Sequence, residues 1–373
     1  MPPAYMLNII FYVFIAVVAV QLLYYLIIFG KFAFAQAQEI TPKRVPVSVI
    51  VCAKNDAEKV KKLVPVLAEQ DYPDFEIVLI DNASSDETLD IFEEFEKQYN
   101  NIRLVKVENN EAFWGNKKYA LTLGIKAAKK DYLLFIDANC YPTSNEWITA
   151  MTSRFTANRT IVLGYGAYEK VKNSFVNKII RFDNMLTATQ YFAWSKIGKP
   201  FSGDGRNLAY KKDEFFKVNG YIEHMNIRLG EDSLFLNQAA TKGNTTVCYA
   251  PESFTYTEAK KSFRSWRKQK KKQIFTAKFF STFDKFQLRF FFLSQLSFFV
   301  LMTVLFALQF DWMFIVPVVA LRYLGSWLTM GYSAAKLKEK DTVYWYPVIE
   351  IIITFTQLNV FFTNLFSKPA HWK

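Results

Sequence analysis

Tyr132-Leu-Leu-Phe-Ile-Asp-Ala-Asn139 is a short apolar run that ends in two oxygen-bearing side chains one residue apart. Its length and aliphatic content read as a buried strand, with Asp137 and Asn139 where that strand leaves a sheet. In open α/β sheets, ligands bind at the carboxyl ends of the strands. Side chains at i and i+2 point the same way along an extended chain, so Asp137 and Asn139 can reach one ion or one phosphate together. An Asx-type turn closing a core strand fits the same residues, and the surrounding chain has to decide.

Segments 45–53, 75–82 and 102–108 share this strand character, and helical patterns at 56–69, 86–98 and 116–130 alternate with them. That alternation predicts a mixed, mostly parallel sheet covered by helices on both faces, within an α/β domain over residues 41–257. Beyond residue 140 the pattern predicts a strand near 160–168 and helices near 174–195, 211–219 and 232–242.

The flanks are of another kind. Residues 1–30 carry no charge, and 7–30 is long enough to cross a bilayer, at ~1.5 Å per residue against a core of ~30 Å. Met1-Pro-Pro-Ala-Tyr5 lacks the basic start of a signal peptide, so residues 1–40 read as a retained transmembrane anchor. Lys31, Lys43 and Arg44 follow it, which puts the α/β domain in the cytoplasm. Residues 290–373 read as about three further transmembrane helices: 290–310, a stretch to about 335 containing Arg322, and 343–366 containing Glu350. Ionisable groups inside spans are costly unless paired or wet, so Arg322 and Glu350 are expected to pair or to face a polar passage, with snorkelling of Glu350 as the alternative. Lys368 and Lys373 favour the cytoplasm, which leaves the last stretch open to a re-entrant or interfacial path. The expected location is a bacterial inner membrane.

In segment 258–289, lysines and arginines interleave with Trp266, Phe275, Phe279, Phe280, Phe283 and Phe286. The pattern predicts an amphipathic helix on an anionic membrane surface. Nucleic-acid binding competes with that reading, but a span follows at once, and no nucleic-acid partner is expected. The composition agrees: 51% of the 373 residues are hydrophobic, with 37 Phe, and the formal charge is +12. Cys52, Cys140 and Cys248 lie far apart without metal spacing, and only His224 and His371 are present, so zinc sites and Ser-His-Asp chemistry have little support.

Further motifs carry chemistry. Val49-Ile-Val-Cys-Ala-Lys-Asn-Asp56 is a strand opening into a helix, and backbone groups at Ala53, Lys54 and Asn55 can take a base or a diphosphate there. In Asp81-Asn-Ala-Ser-Ser-Asp86, Asp81 ends the second strand and suits a nucleotide base or ribose, while Asp86 suits a helix cap. Lys117 opens a helix whose Ala120, Leu123 and Ala127 share a face. Ser202-Gly-Asp-Gly-Arg-Asn-Leu-Ala-Tyr210 has Gly203 and Gly205 for close backbone approach, with Arg206 and Asn207 to fix a sugar hydroxyl or phosphate. Leu229-Gly-Glu-Asp-Ser-Leu-Phe235 pairs two acids, Glu231 and Asp232, where capping by Asp232 is the alternative. Gln269-Lys-Lys-Lys-Gln273 lies in the basic segment.

In this order the motifs resemble the membrane-embedded inverting glycosyltransferases of family 2, over roughly residues 45–275. The resemblance implies a GT-A-like domain that binds a nucleotide-diphosphate sugar, a UDP-sugar by expectation. It implies Asp81 on the uracil or ribose and Lys117 on the phosphates. Asp137 and Asn139 stand where the family carries Asp-x-Asp, implying Mg²⁺ or Mn²⁺, although an amide is a weaker ligand than the second acid. The loop with Gly203, Gly205, Arg206 and Asn207 falls on the acceptor side, Asp232 falls on the general base and Glu231 beside it. Gln269 and Lys272 align with Gln-x-x-Arg-Trp of polysaccharide synthases and ceramide glucosyltransferases, which implies a catalytic role for both, with the Lys272 charge assisting the leaving diphosphate; Gln273 replaces the tryptophan that serves as acceptor platform, and Trp266 is a candidate substitute. The resulting expectation is transfer of a hexose-type sugar to a lipid or lipid-linked acceptor. A polysaccharide-extending synthase and a non-catalytic membrane partner with a degenerate transferase domain are the alternatives.

Overall fold

A computed structural model of the chain describes residues 4–108, 117–227 and 229–366. Asn116, His371, Lys368 and Lys373 lie outside the described residues. The chain divides into an α/β unit, Ala37–Asn173 and Gly198–Lys260, and a helical unit gathered from Met1–Gln36, Ser174–Ile197 and Lys261–His371.

Helix α1 (Ala4–Leu22) runs through a π-helical stretch (Leu23–Phe29) into α2 (Gly30–Ala33). Then β1 (Val47–Ala53), α3 (Ala57–Ala68), β2 (Phe75–Asp81), α4 (Thr88–Gln98), β3 (Ile102–Lys106), α5 (Lys117–Ala127) and β4 (Tyr132–Asp137) alternate as the sequence pattern predicts. Shorter elements follow: β5 (Cys140–Pro142), α6 (Trp147–Thr152), β6 (Ile161–Leu163) and β7 (Gly166–Tyr168). After the long helix α7 (Phe175–Lys196) come β8 (Leu208–Lys211), α8 (Lys212–Lys217), α9 (Glu231–Ala239), β9 (Thr245–Val247) and β10 (Thr255–Thr257).

The main sheet has strand order β3-β2-β1-β4-β8-β6-β9, and β5-β10-β7 form a second small sheet. Strands β1 to β4 pair in parallel. Val47, Val49, Ile50 and Val51 of β1 are all buried, as a strand covered on both faces requires. Helix α3 turns Val60, Leu63, Val64 and Leu67 to this core, and the spacing of three and four is the reason it forms one apolar stripe. The register sets Ala53 beside Asp81 and Cys52 beside Asp137, so three strands end at one edge. Strand β8 runs antiparallel to β4 with Leu208 opposite Phe135, which delivers the loop before β8 to that same edge.

The helical unit ends in α10 (Phe263–Thr276), α11 (Thr282–Ala307), α12 (Trp312–Lys336), α13 (Lys340–Val343) and α14 (Tyr346–Phe366). Among the described residues four helices are long and apolar enough to cross a membrane: Tyr5–Ala33, Thr282–Ala307, Trp312–Lys336 and Tyr346–Asn364. Segment 258–289 is not one helix. The Ser281 hydroxyl accepts from the Asp284 amide at 3.3 Å and caps a new helix there, eight residues before the apolar run. Helix α7, which the sequence places within 41–257, packs in the helical unit, where buried Arg181 donates from Nε to Glu339 at 2.8 Å and from Nη1 to Asp341 at 2.8 Å. Arg322 and Glu350 pair, both buried, with Arg322 Nη1 2.7 Å from Glu350 Oε2. Arg322 also donates to Gln21, and Tyr25, Gln295 and Tyr346 donate to Glu350. A buried charge pair supported on all sides in this way is what an apolar surrounding demands.

Candidate active site

The turns after β1 and β2 are stitched together. Ala53 O accepts from the Asn82 amide at 2.9 Å, and Asn55, with φ of 54°, donates to Ser84 Oγ at 3.1 Å and accepts from the Ser85 amide at 2.8 Å. Asparagine is among the few residues that tolerate this left-handed backbone. Lys54 is exposed between them. Asp86 accepts from the Thr88 and Ala57 amides, so it holds two helix starts as a cap. Asp81 is 3% exposed: Oδ2 accepts from the Ser84 amide at 3.2 Å, while Oδ1 is buried with no hydrogen-bond partner among the described residues. A buried carboxylate oxygen without a donor is costly, which marks it as ready for a ligand N–H or O–H.

Lys117, at the first turn of α5, joins two motifs that lie far apart in sequence. Its Nζ stands 2.7 Å from Asp137 Oδ1 and 2.8 Å from Glu231 Oε1. Burial opposes the Asp137 charge, but the Lys117 ammonium outweighs it and holds the carboxyl below its ordinary range. Asp137 and the exposed Asn139 offer hard oxygen donors, which fit a divalent cation that draws further ligands from a bound diphosphate. Among the described residues no cluster of three or more His, Cys, Asp or Glu gathers for a metal.

Asp232 is placed by glycines. Gly230, with φ of 72°, turns the chain into α9, so Glu231 and Asp232 open that helix. The Gly205 amide donates to Asp232 Oδ2 at 2.7 Å, and a Cβ on Gly205 would meet that oxygen at 2.9 Å. Burial, with the Glu231 and Asp204 charges beside it, raises the Asp232 carboxyl to about 6. Gly203 packs tightly on Leu236 and Leu163. Arg206 forks onto Asp204, with Nη2 2.6 Å from Oδ2, and lies over the Tyr168 ring at 4.6 Å.

Two expectations change. Asn207 is 0% exposed; its oxygen accepts from Trp147 Nε1 at 3.1 Å and its nitrogen donates to Tyr165 O and Ser253 O at 3.0 and 2.6 Å. It holds the loop from within and does not reach out to a sugar. Trp266 is 2% exposed in the helical unit, with its Nε1 donating to Asp183 Oδ2 at 3.1 Å, so it presents no open platform. Gln269 and Lys272, half-buried, follow it on α10 in the same unit.

Two residues escaped sequence reading. Asp204 bears on both Asp232 and Arg206; its place between two glycines was the available signal. Lys118 is 1% exposed, lowered to about 8 by burial, and its Nζ donates to His224 O at 2.8 Å and Ile227 O at 2.6 Å. Nothing in the motif Lys117-Lys118 tells which lysine faces the acids.

Residues 48–216 match the family model described as Glycosyl transferase family 2. The chain is 33% identical over 174 residues to the dolichyl N-acetyl-alpha-D-glucosaminyl phosphate 3-beta-D-2,3-diacetamido-2,3-dideoxy-beta-D-glucuronosyltransferase of Methanococcus voltae, covering 46% of this chain and 49% of that one. It is 32% identical over 93 residues to a poly-beta-1,6-N-acetyl-D-glucosamine synthase of Staphylococcus epidermidis, covering 25% and 21%. The chain thus spans half or less of the length of these relatives. Among solved structures, the mannosyltransferase PcManGT of Pyrobaculum calidifontis, in complex with GDP-Man and Mn²⁺, superposes with a TM-score of 0.58 at 17% identity, over 94% of this chain and 99% of that one. That likeness shows the GT-A fold. The chain carries a glycosyl transferase family 2 domain over residues 48–216.

Proposed function

We propose that this chain is a membrane glycosyltransferase that moves a hexose-type sugar, with inversion, from a nucleotide-diphosphate sugar to a lipid or lipid-linked acceptor. The observation that carries the reading is the convergence of Asp137, Lys117, Glu231 and Asp232 at one sheet edge, with Asp232 raised to about 6. A general base works best when its pKa lies near the operating pH. Asp232 takes the proton of the acceptor hydroxyl as that oxygen bonds to the anomeric carbon. The bond from that carbon to the diphosphate oxygen breaks on the opposite face, and its electron pair leaves with the diphosphate. Asp81 receives a base or ribose donor on its open oxygen, with a UDP-sugar as the expected donor, and Lys117 offers its charge to the diphosphate. A divalent cation held by Asp137 and Asn139 would supply Lewis-acid stabilisation of the departing charge. The PcManGT complex with Mn²⁺ supports that expectation.

Lipid-linked transfer is favoured by the four apolar helices and by the Methanococcus voltae relative, whose name gives a dolichyl phosphate substrate. Polymer extension has the Staphylococcus epidermidis synthase in its support, but the four apolar helices among the described residues are few for a polymer channel. The positive charges after the first apolar helix support a cytoplasmic α/β unit in a bacterial inner membrane. The test is donor turnover by the full chain with native lipids, with Mn²⁺, Mg²⁺ or chelator, beside Asp232→Asn. Nucleotide release that needs the cation and vanishes in the variant supports the reading. Release unchanged in the variant overturns the role of Asp232, and a ladder of products turns the reading to polymer extension.

A further inference from the structure

Apart from Gln269 and Lys272, the basic stretch after residue 258 has no part in the chemistry above. From Ala259 to Phe283 there are nine lysines and arginines and no acid. Helix α10 within it has a fixed roll. Trp266 and Lys270, one turn apart, both bind the carboxylate of buried Asp183 on α7: Trp266 Nε1 donates to Oδ2 at 3.1 Å and Lys270 Nζ to Oδ1 at 2.8 Å. At 3.6 residues per turn, Arg264 and Lys268 fall on the opposite face and Arg267 on its flank; all three are exposed. Exposed phenyl rings follow the helix toward α11, with Phe279 at 47%, Phe283 at 48% and Phe286 at 61%, whereas Phe263 packs on the Trp266 ring of the inward side. Phe283 and Phe286 already belong to α11, a helix long and apolar enough to cross a membrane. The cationic face therefore lies a few residues from the point where the chain enters hydrocarbon.

We propose that the outward face of α10, with Phe279 and Phe283 beyond it, binds anionic phospholipid headgroups of the leaflet that α11 enters. Arg264, Arg267 and Lys268 take the headgroup phosphates, the phenyl rings settle at the acyl boundary, and Asp183 keeps the face turned outward. Charge complementarity and continuity with α11 select a lipid surface over other polyanions. The inference rests on α11 as a span, not on the transfer chemistry.

The test is native mass spectrometry of the full detergent-solubilised chain titrated with phosphatidylglycerol or phosphatidylcholine at low salt. Phosphatidylglycerol is expected to bind more tightly. Each surface cation is worth roughly fivefold, so Arg264→Gln/Arg267→Gln/Lys268→Gln should weaken it on the order of a hundredfold. Arg264→Lys/Arg267→Lys should retain it, and Asp183→Asn should weaken it with all three cations present. Equal binding of the two lipids, or phosphatidylglycerol retained by the triple variant, overturns the proposal. So does a short single-stranded oligonucleotide that binds more tightly than phosphatidylglycerol and is lost in the triple variant. The three residues are exposed, so an unchanged melting temperature shows that the triple variant is folded.

Discussion

The Gly205 amide donates to Asp232 Oδ2 at 2.7 Å, and no side chain fits between the two residues. The loop before β8 and the acid pair are thus joined by a backbone hydrogen bond whose length depends on a missing Cβ. Gly205→Ala should displace the carboxylate and remove a bond that favours its ionised form. Turnover should fall by about tenfold or more with donor KM little changed, and the acid limb of the pH–rate profile should move to higher pH. Steady-state kinetics across pH would show it; an unchanged limb would separate Gly205 from the base.

In the proposed mechanism Asp232 serves as the base, a role it can fill only when ionised. Activity in kcat/KM should therefore decline as pH falls through about 6. Asp232→Asn should lower turnover by about 10²- to 10⁴-fold, the range of general-base catalysis. Glu231→Gln removes a like charge from beside Asp232 and should move the limb to lower pH. A limb that moves the other way would show that release of Lys117 from Glu231 matters more.

The same elevated carboxyl bears on stability, with a definite sign. An acid whose folded value lies above its unfolded value of 3.8 makes the folded state bind the extra proton between there and about 6. Native stability then falls as pH rises through that window, and the penalty is complete above it. Asp232→Asn should stabilise the fold at pH 7.5 and not at pH 3.5, by roughly 3 kcal/mol as an upper bound, and raise the melting temperature only at the higher pH. Thermal unfolding at the two pH values is the measurement.

Lys117 holds Asp137 and Glu231 through a pair that is about one-third exposed, with side-chain exposures of 34% and 33% for Lys117 and Asp137. Solvent screens such a pair, so Lys117→Gln should change stability by about 1 kcal/mol or less. Donor binding should suffer far more, with KM raised about tenfold or more, because the phosphates lose their cation. Calorimetric binding of the nucleotide beside a melting curve separates the two effects.

Arg322 and Glu350 are a different case, since both are buried. Glu350→Gln leaves the guanidinium without its counter-charge and should destabilise the helical unit by about 3–5 kcal/mol. Replacing both by Met should recover a large part of that loss, as burial of an uncompensated charge is then avoided. Melting in detergent of the single and double variants tests it; a double variant as unstable as the single one would rule out pairing as the cause.

The half of the fold built on long, strongly patterned segments was legible. The elements β1 to β4 with α3 to α5 fall within a few residues of their expected places, because each carries either a continuous apolar run or a clear stripe. Elements of three residues, β5, β6, β7, β9 and β10, were beyond reach except for a strand near 160–168, since three residues define no period. The site residues follow the same division. Asp137, Lys117 and Glu231 meet because a strand end and two helix starts converge. Asn207 and Trp266 differ because side-chain burial depends on partners distant in sequence, Trp147 for one and Asp183 for the other, and no local pattern records those.

The π-helical stretch Leu23–Phe29 closes its hydrogen bonds over one residue more than an α-turn does. That stretch consequently stores surplus chain inside an otherwise regular helix. Loss of one residue there lets the backbone relax to α-geometry and keeps the faces before and after it in phase. The same loss in α1 would swing one end by about 100° against the other and break the seating of Tyr25 beside Glu350. Length drift among natural variants of this helix should accordingly be confined to those seven residues.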